Sequence, residues 1–367
     1  MRYYIIAGEA SGDLHGGNLI KALHRQDSTA DVRAWGGDHM AAAGATIVKH
    51  YRDLAFMGFV EVIRHLRTIF RNIDFCKHDI LAYRPDVLVL IDYPGFNLRI
   101  AAWAKAQGLK VVYYISPQVW AWKEGRVAQI KKNVDKMLVI LPFEVPFYKK
   151  WDFEAQYVGH PLIEVVRQEK EEVPVVPIAE KPIIALLPGS RSQEIRQKLP
   201  IMLSVVKDFP AYQFVVAGAP SQPDALYQEM IGDTPVILLR NQTYNLLKQS
   251  YAALVTSGTA TLETALFGVP QIVCYKGNPV SYWLARKLVK VKYISLVNLI
   301  MDREVVKELI QTDLNTKQLK DELERILEKG PRRMAILSAY SQLWQLLGSS
   351  PASENAAVEI KRIAMPI

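Results

Sequence analysis

Short apolar runs, each closed by a glycine, a proline or a polar residue, recur along this chain with helical patterns between them. In the first half they lie at 2–8, 32–37, 46–50, 86–92, 109–116 and 136–142. A continuous run such as DVLVLID at 86–92 is typical of a strand that is buried on both faces of a parallel sheet. Because strand, crossover helix and strand alternate, the first half predicts a doubly wound parallel α/β sheet.

The pattern pauses between Pro161 and Pro182, where prolines and charged residues form a linker-like stretch, and then restarts. The second set of runs lies at 182–190, 212–218, 235–239, 252–258 and 270–275. We therefore predict two Rossmann-like domains, at 1–165 and 180–340, followed by a helical tail at 341–367. Ligands of such sheets bind beyond the carboxyl ends of the strands, so we expect the two domains to face a common cleft.

Composition excludes several classes of protein. Half of the 367 residues are hydrophobic and 22% are charged, as in folded globular proteins. Two distant cysteines, Cys76 and Cys274, exclude a disulfide framework, a zinc finger and an iron–sulfur site. No apolar run reaches the roughly 18 residues of a spanning helix, and the N-terminal one is too short for a signal peptide, so we expect a soluble cytoplasmic protein. The net charge of +8 favours anionic partners.

The turn after the first strand is built from small residues and carries two carboxylates. It has neither the G-x-G-x-x-G pattern nor the P-loop pattern, so a classical dinucleotide site is not indicated. We expect its small residues to admit a substrate close to the backbone, with Glu9 and Asp13 projecting toward it. Asp13 has an alternative role as a helix N-cap. The residues of this turn are Gly8, Glu9, Ser11, Gly12 and Asp13.

Asp92 closes the apolar run at 86–92. A carboxylate at the carboxyl end of a buried strand is well placed to have a raised pKa and to act as a general base. The structural alternative is that Asp92 caps the helix that follows.

Two segments of the second half are typical of anion binding. Gly189, Ser190 and Arg191 follow the strand at 182–187 and open a helix, where backbone N–H groups and a guanidinium can hold a phosphate. The segment 256–263 has small hydroxyl residues at a helix start, and Glu263 one turn further on could accept both hydroxyls of a ribose. Its predicted diphosphate-binding residues are Ser257, Gly258, Thr259 and Ala260.

Cations and aromatic residues near the middle of the first half suggest a membrane surface. An amphipathic helix at 59–73 bears three arginines, and a second segment combines two tryptophans with two cations. Packing of that helix on the core is the alternative. Base stacking on the tryptophans is also conceivable, but no nucleic-acid-binding motif accompanies them, so we expect no nucleic acid. The residues of this predicted face are Arg64, Arg67, Arg71, Trp120, Trp122, Lys123 and Arg126.

Taken together, these blocks resemble the lipid-A-disaccharide synthase family, inverting glycosyltransferases of the two-Rossmann (GT-B) architecture. The two most specific matches are AGEASGD at 7–13 and SPQVWAW at 116–122, and the rest follow in order over roughly the first 310 residues. The remaining matches are the stretch at 56–58 with its following helix, PDVLVLID at 85–92, LPFE at 141–144, VGHP at 158–161, LLPGSR at 186–191, TSGTATLE at 256–263, and the segments 282–285 and 293–299.

The resemblance implies a reaction and a set of roles. UDP-2,3-diacylglucosamine would donate its sugar to the 6-hydroxyl of 2,3-diacylglucosamine 1-phosphate, giving a β-1,6-linked disaccharide phosphate and UDP without a metal or other cofactor. Asp92 would be the general base, Glu9 a second essential acid of the acceptor side, and Arg191 and Asn298 donor contacts, with Glu263 on the ribose. Peripheral association with an anionic inner-membrane surface would follow from the acylated substrates.

The chain departs from the family pattern at His15 and Gly95, and both departures bear on the shape of the acceptor site. Another UDP-sugar enzyme of the same architecture, a lipid-II-forming transferase or a UDP-GlcNAc 2-epimerase, is the alternative function. A non-enzymatic protein that binds anionic surfaces is the alternative from a different class.

Overall fold

The computed structural model describes residues 1–54, 66–122, 124–278, 282, 291–348 and 350–365. The chain divides into two compact units. The first unit comprises Met1–Pro161 together with Gly348–Ile367, and the second unit comprises Leu162–Leu347. In the part of the chain that the structure describes, no helix combines the length and the apolarity needed to cross a membrane.

The first unit contains a parallel seven-stranded sheet of order β3-β2-β1-β4-β5-β6-β7. Its strands are β1 (Arg2–Ala7), β2 (Asp31–Gly36), β3 (Thr46–His50), β4 (Val87–Ile91), β5 (Val111–Tyr114), β6 (Lys136–Val139) and β7 (Ala155–Tyr157). Its helices are α1 (Ala10–Gln26), α2 (Asp38–Ala42), α3 (Leu66–Tyr83), α4 (Pro94–Ala106), α5 (Val119–Trp122), α6 (Val127–Asn133) and α7 (Glu144–Lys149).

The second unit contains a parallel six-stranded sheet of order β10-β9-β8-β11-β12-β13. Its strands are β8 (Ile183–Leu187), β9 (Gln213–Gly218), β10 (Val236–Arg240), β11 (Ser250–Thr256), β12 (Gln271–Tyr275) and β13 (Lys307–Ile310). The helices that follow the first unit are α8 (Pro161–Glu172), α9 (Ser192–Leu203), α10 (Asp224–Ile231), α11 (Thr243–Gln249), α12 (Thr259–Leu266), α13 (Leu296–Met301), α14 (Thr316–Leu327), α15 (Pro331–Leu347) and α16 (Ala352–Ala364). The predicted fold class, two doubly wound parallel α/β units, is confirmed.

Alternate residues of each central strand bury opposite faces of the first sheet. Along β1, Tyr4 and Ile6 point into the cluster that packs on α3 and α4, whereas Tyr3 and Ile5 point into the cluster that packs on α1 and α16. A strand with both faces covered has to be apolar at every position, which explains the continuous runs in the sequence.

Three predicted boundaries differ from the structure. The helix predicted at 59–73 does not end at 73, because α3 continues to Tyr83 with Ile73, Cys76 and Ile80 buried along one face; positions 59–65 lie outside the described residues. The predicted linker contains α8, which belongs to the second unit except for Pro161, its first residue.

The predicted tail at 341–367 also divides differently. Position 341 lies inside the continuous helix α15, which belongs to the second unit. Only α16 stands apart from it, and α16 returns to the first unit, where Ala356, Ala357 and Ile360 are buried in the same cluster as α1. Asn355 Nδ2 also donates to the Val158 carbonyl at 2.9 Å.

The order of the strands determines where the predicted site residues lie. In each sheet the order reverses at one point, between β1 and β4 in the first unit and between β8 and β11 in the second. Loops that leave neighbouring strands at such a point diverge and open a crevice at the carboxyl edge of the sheet. The predicted site segments are the loops at these two points: 8–13 and 92–97 in the first unit, and 188–191 and 256–260 in the second.

Candidate active site

Asp92 and Glu9 lie at the reversal point of the first sheet, directly after β4 and β1. Glu9 is exposed at the N-cap of α1, and Asp92 is largely buried. Burial, with a smaller contribution from the negative charge of Glu9, raises the pKa of Asp92 to about 6. A carboxylate with such a pKa accepts a proton readily near neutral pH, as a general base must.

The backbone at Asp92 is strained and firmly held. Asp92 and Tyr93 both adopt left-handed conformations, with φ of 42° and 48°. The Asp92 carbonyl accepts hydrogen bonds from Tyr113 Oη and from Asn97 Nδ2, the latter at 2.8 Å. Two consecutive non-glycine residues in this region are costly and persist only where surrounding contacts enforce them, which is common at functional sites. The turn therefore fixes where the Asp92 carboxylate lies.

Glycines of the first turn serve packing. A Cβ at Gly8 would lie 2.3 Å from the Tyr93 ring, so the absent side chain makes room for that ring. A Cβ at Gly12 would lie 3.1 Å from Ala7 Cβ, where α1 meets β1. In the structure these glycines thus lie against protein side chains, whereas the sequence predicted that they would admit a substrate. Ser11 is exposed on the first turn of α1.

Asp13 caps a helix, although not its own. Its carboxylate is buried and accepts backbone N–H bonds from Gly37 at 2.6 Å, His39 at 3.1 Å and Met40 at 3.1 Å. These donors belong to the first turn of α2 and the residue before it. Both carboxylate oxygens are occupied, so the predicted acceptor-side role of Asp13 is replaced by a structural one: it fixes α2 to the first βα turn.

At the two positions that depart from the family pattern, the surroundings differ. A Cβ at Gly95 would meet open space within 4 Å, so this chain leaves the exposed side of the Asp92 turn uncrowded. His15 is instead half-buried, and burial lowers its pKa to about 4, which keeps the ring neutral at physiological pH.

A cavity of about 340 Å³ lies at the reversal point of the second sheet. The amino ends of α9 and α12 both open onto it, and the first N–H groups of a helix lack partners within the helix. Gly189 has φ of 113°, in the left-handed region that favours glycine. Two helix amino ends at one cavity make it suited to an anion. Among its lining residues are the predicted Gly189, Ser190, Arg191, Ser257, Gly258, Thr259 and Ala260.

Arg191 is poised at this cavity and is paired to a carboxylate that sequence reasoning did not single out. Its side chain is 70% exposed, and its Nη1 lies 3.3 Å from Glu194 Oε1. Glu194 also lines the cavity, and its Oε2 would lie 2.6 Å from a Cβ at Gly189. The signal in the sequence that could have indicated Glu194 is its position in the first turn of α9, directly after the predicted anion-binding residues. An exposed arginine in a weak surface pair can turn to an incoming anion at little cost.

A second cavity, of about 870 Å³, adjoins the first through the shared residues Pro220 and Thr243. Glu263 lines it and accepts a hydrogen bond from Tyr244 Oη at 3.0 Å. Burial raises the pKa of Glu263. The lining segment 241–245, at the end of β10, was missed because its polar residues match no motif.

Asn298 does not reach either cavity. It is fully buried, its Oδ1 accepts from the backbone N–H groups of Val305 and Val306, and its Nδ2 donates to Val306 O and Glu308 Oε1. Both amide hydrogens and the amide oxygen are thus used in bonds within the protein. The contact with the sugar-nucleotide donor that the resemblance implied for Asn298 does not fit the structure.

The predicted membrane face is partly described. Arg64 and Lys123 lie outside the described residues. Arg67 and Arg71 are exposed on α3, as are Phe70 and Phe75. Cations and aromatic side chains are therefore exposed together on α3.

The two tryptophans differ in environment. Trp122 is half-exposed, whereas Trp120 Nε1 donates to Glu144 Oε1 at 3.2 Å and its ring packs edge-on against Phe143. Glu144 is buried, and burial raises its pKa to about 8. Trp120 is thus held inward, contrary to its predicted exposure, while Arg126 is half-buried.

Among the residues that the structure describes, no three histidine, cysteine, aspartate or glutamate side chains form a group that could hold a metal ion.

Solved structures with the same fold define its class. A UDP-GlcNAc 2-epimerase from Neisseria meningitidis, solved with UDP-GlcNAc bound, superposes with a TM-score of 0.68 at 12% identity, covering 99% of this chain and 100% of that one. The glycotransferase of kitacinnamycin superposes with a TM-score of 0.68 at 14% identity, covering 99% of each. The fold is that of the GT-B glycosyltransferases and epimerases.

Sequence relatives narrow this class to one family. The family model described as lipid-A-disaccharide synthetase matches residues 3–360. A protein of Syntrophus aciditrophicus named lipid-A-disaccharide synthase is 40% identical over 365 residues, covering 96% of this chain and 95% of that protein. One of Geobacter metallireducens with the same name is 37% identical over 366 residues, covering 97% and 95%. The chain belongs to the lipid-A-disaccharide synthase family of glycosyltransferases.

Proposed function

We propose that this protein transfers 2,3-diacylglucosamine from UDP-2,3-diacylglucosamine to the 6-hydroxyl of 2,3-diacylglucosamine 1-phosphate. The products are the β-1,6-linked lipid A disaccharide 1-phosphate and UDP. The observation that carries the proposal is the pair of cavities at the reversal point of the second sheet, in a chain of this family.

In this proposal the donor diphosphate occupies the 340 Å³ cavity and its nucleoside extends into the 870 Å³ cavity. Two helix amino ends and the Arg191 guanidinium meet the diphosphate charge. Glu263 accepts hydrogen bonds from the ribose hydroxyls, and the uracil lies along the segment 241–245. Since these groups supply the positive potential, the reaction proceeds without a metal ion or another cofactor.

Asp92 acts as the general base. Its carboxylate takes the proton of the acceptor 6-hydroxyl while that oxygen attacks the anomeric carbon of the donor from the face opposite UDP. The bond between the anomeric carbon and the diphosphate oxygen breaks, and its electron pair leaves with UDP, so the configuration inverts. Glu9 raises the basicity of Asp92 through its negative charge, which the raised pKa of Asp92 supports.

The acylated substrates place the reaction at a membrane. We propose that the protein is cytoplasmic and binds the anionic inner-membrane surface peripherally. Arg67, Arg71, Trp122 and the exposed Phe70 and Phe75 support this surface from the described part of the chain. Arg64 and Lys123 extend it by their position in the sequence.

The decisive experiment is mass spectrometry of the products formed from the two diacylated substrates, with and without EDTA. We expect the disaccharide phosphate and an equal amount of UDP in both cases. UDP release without disaccharide would contradict the proposed acceptor, and loss of activity on chelation that magnesium restores would contradict the metal-free mechanism.

A further inference from the structure

Glu308, on β13, gathers an unusual number of hydrogen bonds on one carboxylate. It accepts from the backbone N–H of Ile294 at 3.0 Å, from the backbone N–H of Ser295 at 2.9 Å and from Ser295 Oγ at 2.8 Å. Asn298 Nδ2 adds a fourth bond, at 2.9 Å. Within the described residues no lysine or arginine forms an ion pair with Glu308, and the four donors named here are all neutral.

Asn298 completes the assembly from the other side. Its Oδ1 accepts from Val305 N at 2.8 Å and Val306 N at 3.0 Å, which ties the first turn of α13 to the residues just before β13. Ser295 Oγ also accepts from the N–H of Asn298, at 3.3 Å, as the N-cap of α13. Ser295 and Asn298 are both fully buried. Side-chain hydrogen bonds therefore hold the segment 294–298 in addition to the backbone bonds of α13.

This segment in turn holds the loop that lines the 340 Å³ cavity. Ser257 Oγ donates to the Ile294 carbonyl at 2.8 Å, and the Leu296 N–H donates to Thr261 Oγ1 at 3.3 Å. Thr261 Oγ1 also donates to the carbonyl of Gly258, the N-cap of α12, at 2.8 Å. Hydrogen bonds thus connect Glu308 to the amino end of α12 through the segment 294–298.

We infer that Glu308 and Asn298 are positioning residues that orient the donor-binding loop 256–261 from behind, and that neither touches the donor. This inference rests on the proposed donor site. Backbone N–H groups stabilise an anion only when they converge on it, and preorganised groups need no rearrangement when the charge arrives. Releasing the segment 294–298 would let Ser257 and the first turn of α12 lose that alignment.

The test compares Glu308→Ala with the control Glu304→Ala, since Glu304 is exposed and its ion pair with Lys307 is long, at 3.6 Å. Hydrogen exchange of the loop 256–262 should accelerate in Glu308→Ala and stay unchanged in the control. Calorimetry should show UDP affinity falling by about tenfold or more, the scale of one lost hydrogen bond to a charged group. In turnover assays the KM for the donor should rise while the KM for the acceptor stays the same.

A double variant separates positioning from contact. If Asn298 acts through the same segment, Asn298→Ala should lower UDP affinity in the parent and change it little in Glu308→Ala. Additive losses would show that Asn298 acts independently of Glu308 and would overturn the inference, as would unchanged exchange or affinity in Glu308→Ala. Glu308→Gln, which keeps one acceptor oxygen, should fold and show a smaller loss if Glu308→Ala fails to fold. Failure of the parent to bind UDP would refute the proposed donor site itself, whereas the exchange result tests the positioning role independently.

Discussion

Asp92 shows how a single side chain is tuned by its place in the fold. Its backbone is held in the left-handed region directly after β4, and most of the residue is buried. Burial opposes ionisation, and the charge of Glu9 opposes it further. The two effects act in the same direction, and together they raise the pKa of Asp92 to about 6.

Asp92→Asn should lower turnover by about 10²-fold or more while leaving UDP affinity unchanged, because only the proton acceptor is removed. In the parent, kcat/KM should rise as pH increases through about 6, where Asp92 loses its proton. Glu9→Gln removes a negative charge that raises the pKa of Asp92, so its residual activity should rise at a lower pH. If the pH profile does not shift in Glu9→Gln, then the charge of Glu9 does not influence the pKa of Asp92.

Glu263→Ala should weaken UDP binding by about 1.5–3 kcal/mol, the scale of hydrogen bonds to a charged group. Calorimetry with UDP measures this directly, and Glu229→Ala, which removes an exposed carboxylate on α10 that pairs with Arg196, is a matched control. Acceptor binding should change little. Equal UDP affinity in the two variants would mean that the ribose lies elsewhere.

At the scale of elements, short structures depend on single side chains from distant parts of the chain. Helix α2 has five residues, too few to be stable alone, and it is fixed to the first βα turn by Asp13. The segment 294–298 depends on Glu308 in the same way. Such elements are hard to predict from their own sequence because side chains from distant parts of the chain stabilise them.

Asp13→Ala should destabilise the first unit by about 1–3 kcal/mol, because buried backbone N–H groups lose their acceptor. Chemical denaturation monitored in that unit should show an earlier transition, while UDP affinity, which depends on the second unit, should not change. Asp13→Asn keeps one acceptor oxygen and should lose less. Normal stability with lost turnover would instead restore Asp13 to the acceptor site.

The sequence predicts the long elements well, because buried parallel strands are apolar at every position and helices carry a 3.6-residue period. It misses β7, which has only three residues, and β13, whose sequence KELI is half charged and so lacks a continuous apolar run. It locates Asp92, Arg191 and Glu263 correctly at strand ends and helix starts. It cannot tell that Asp13, Asn298 and Trp120 face inward, since their partners Gly37, Glu308 and Glu144 are brought to them only by the tertiary fold.

At the scale of the whole molecule, the first unit combines a proposed base with an exposed surface of cations and aromatic side chains. Each lysine or arginine near an anionic leaflet contributes on the order of 1 kcal/mol, and salt screens that contribution. A half-exposed indole can anchor at the depth of the headgroups. Binding of this kind is reversible.

Co-sedimentation with anionic vesicles should therefore fall as salt concentration rises, and fall further in the variant Trp122→Ala, Arg67→Glu, Arg71→Glu. Trp120 is left in place because its indole supports Glu144. A matched control carries the same charge change on α14 of the second unit, Arg325→Glu and Lys317→Glu. If both folded variants bind vesicles equally well, the face on α3 is not the one that meets lipid.

The return of α16 to the first unit has a consequence for synthesis. The ribosome completes residues 1–161 long before it reaches Ala352–Ala364, because the whole second unit is made in between. At 5–20 residues per second that delay is on the order of ten seconds or more. During it, the face of the first sheet that later receives Ala356, Ala357 and Ile360 has α1 as cover but lacks α16. The nascent first unit thus passes through a stage in which it exposes apolar surface of the kind that chaperones recognise.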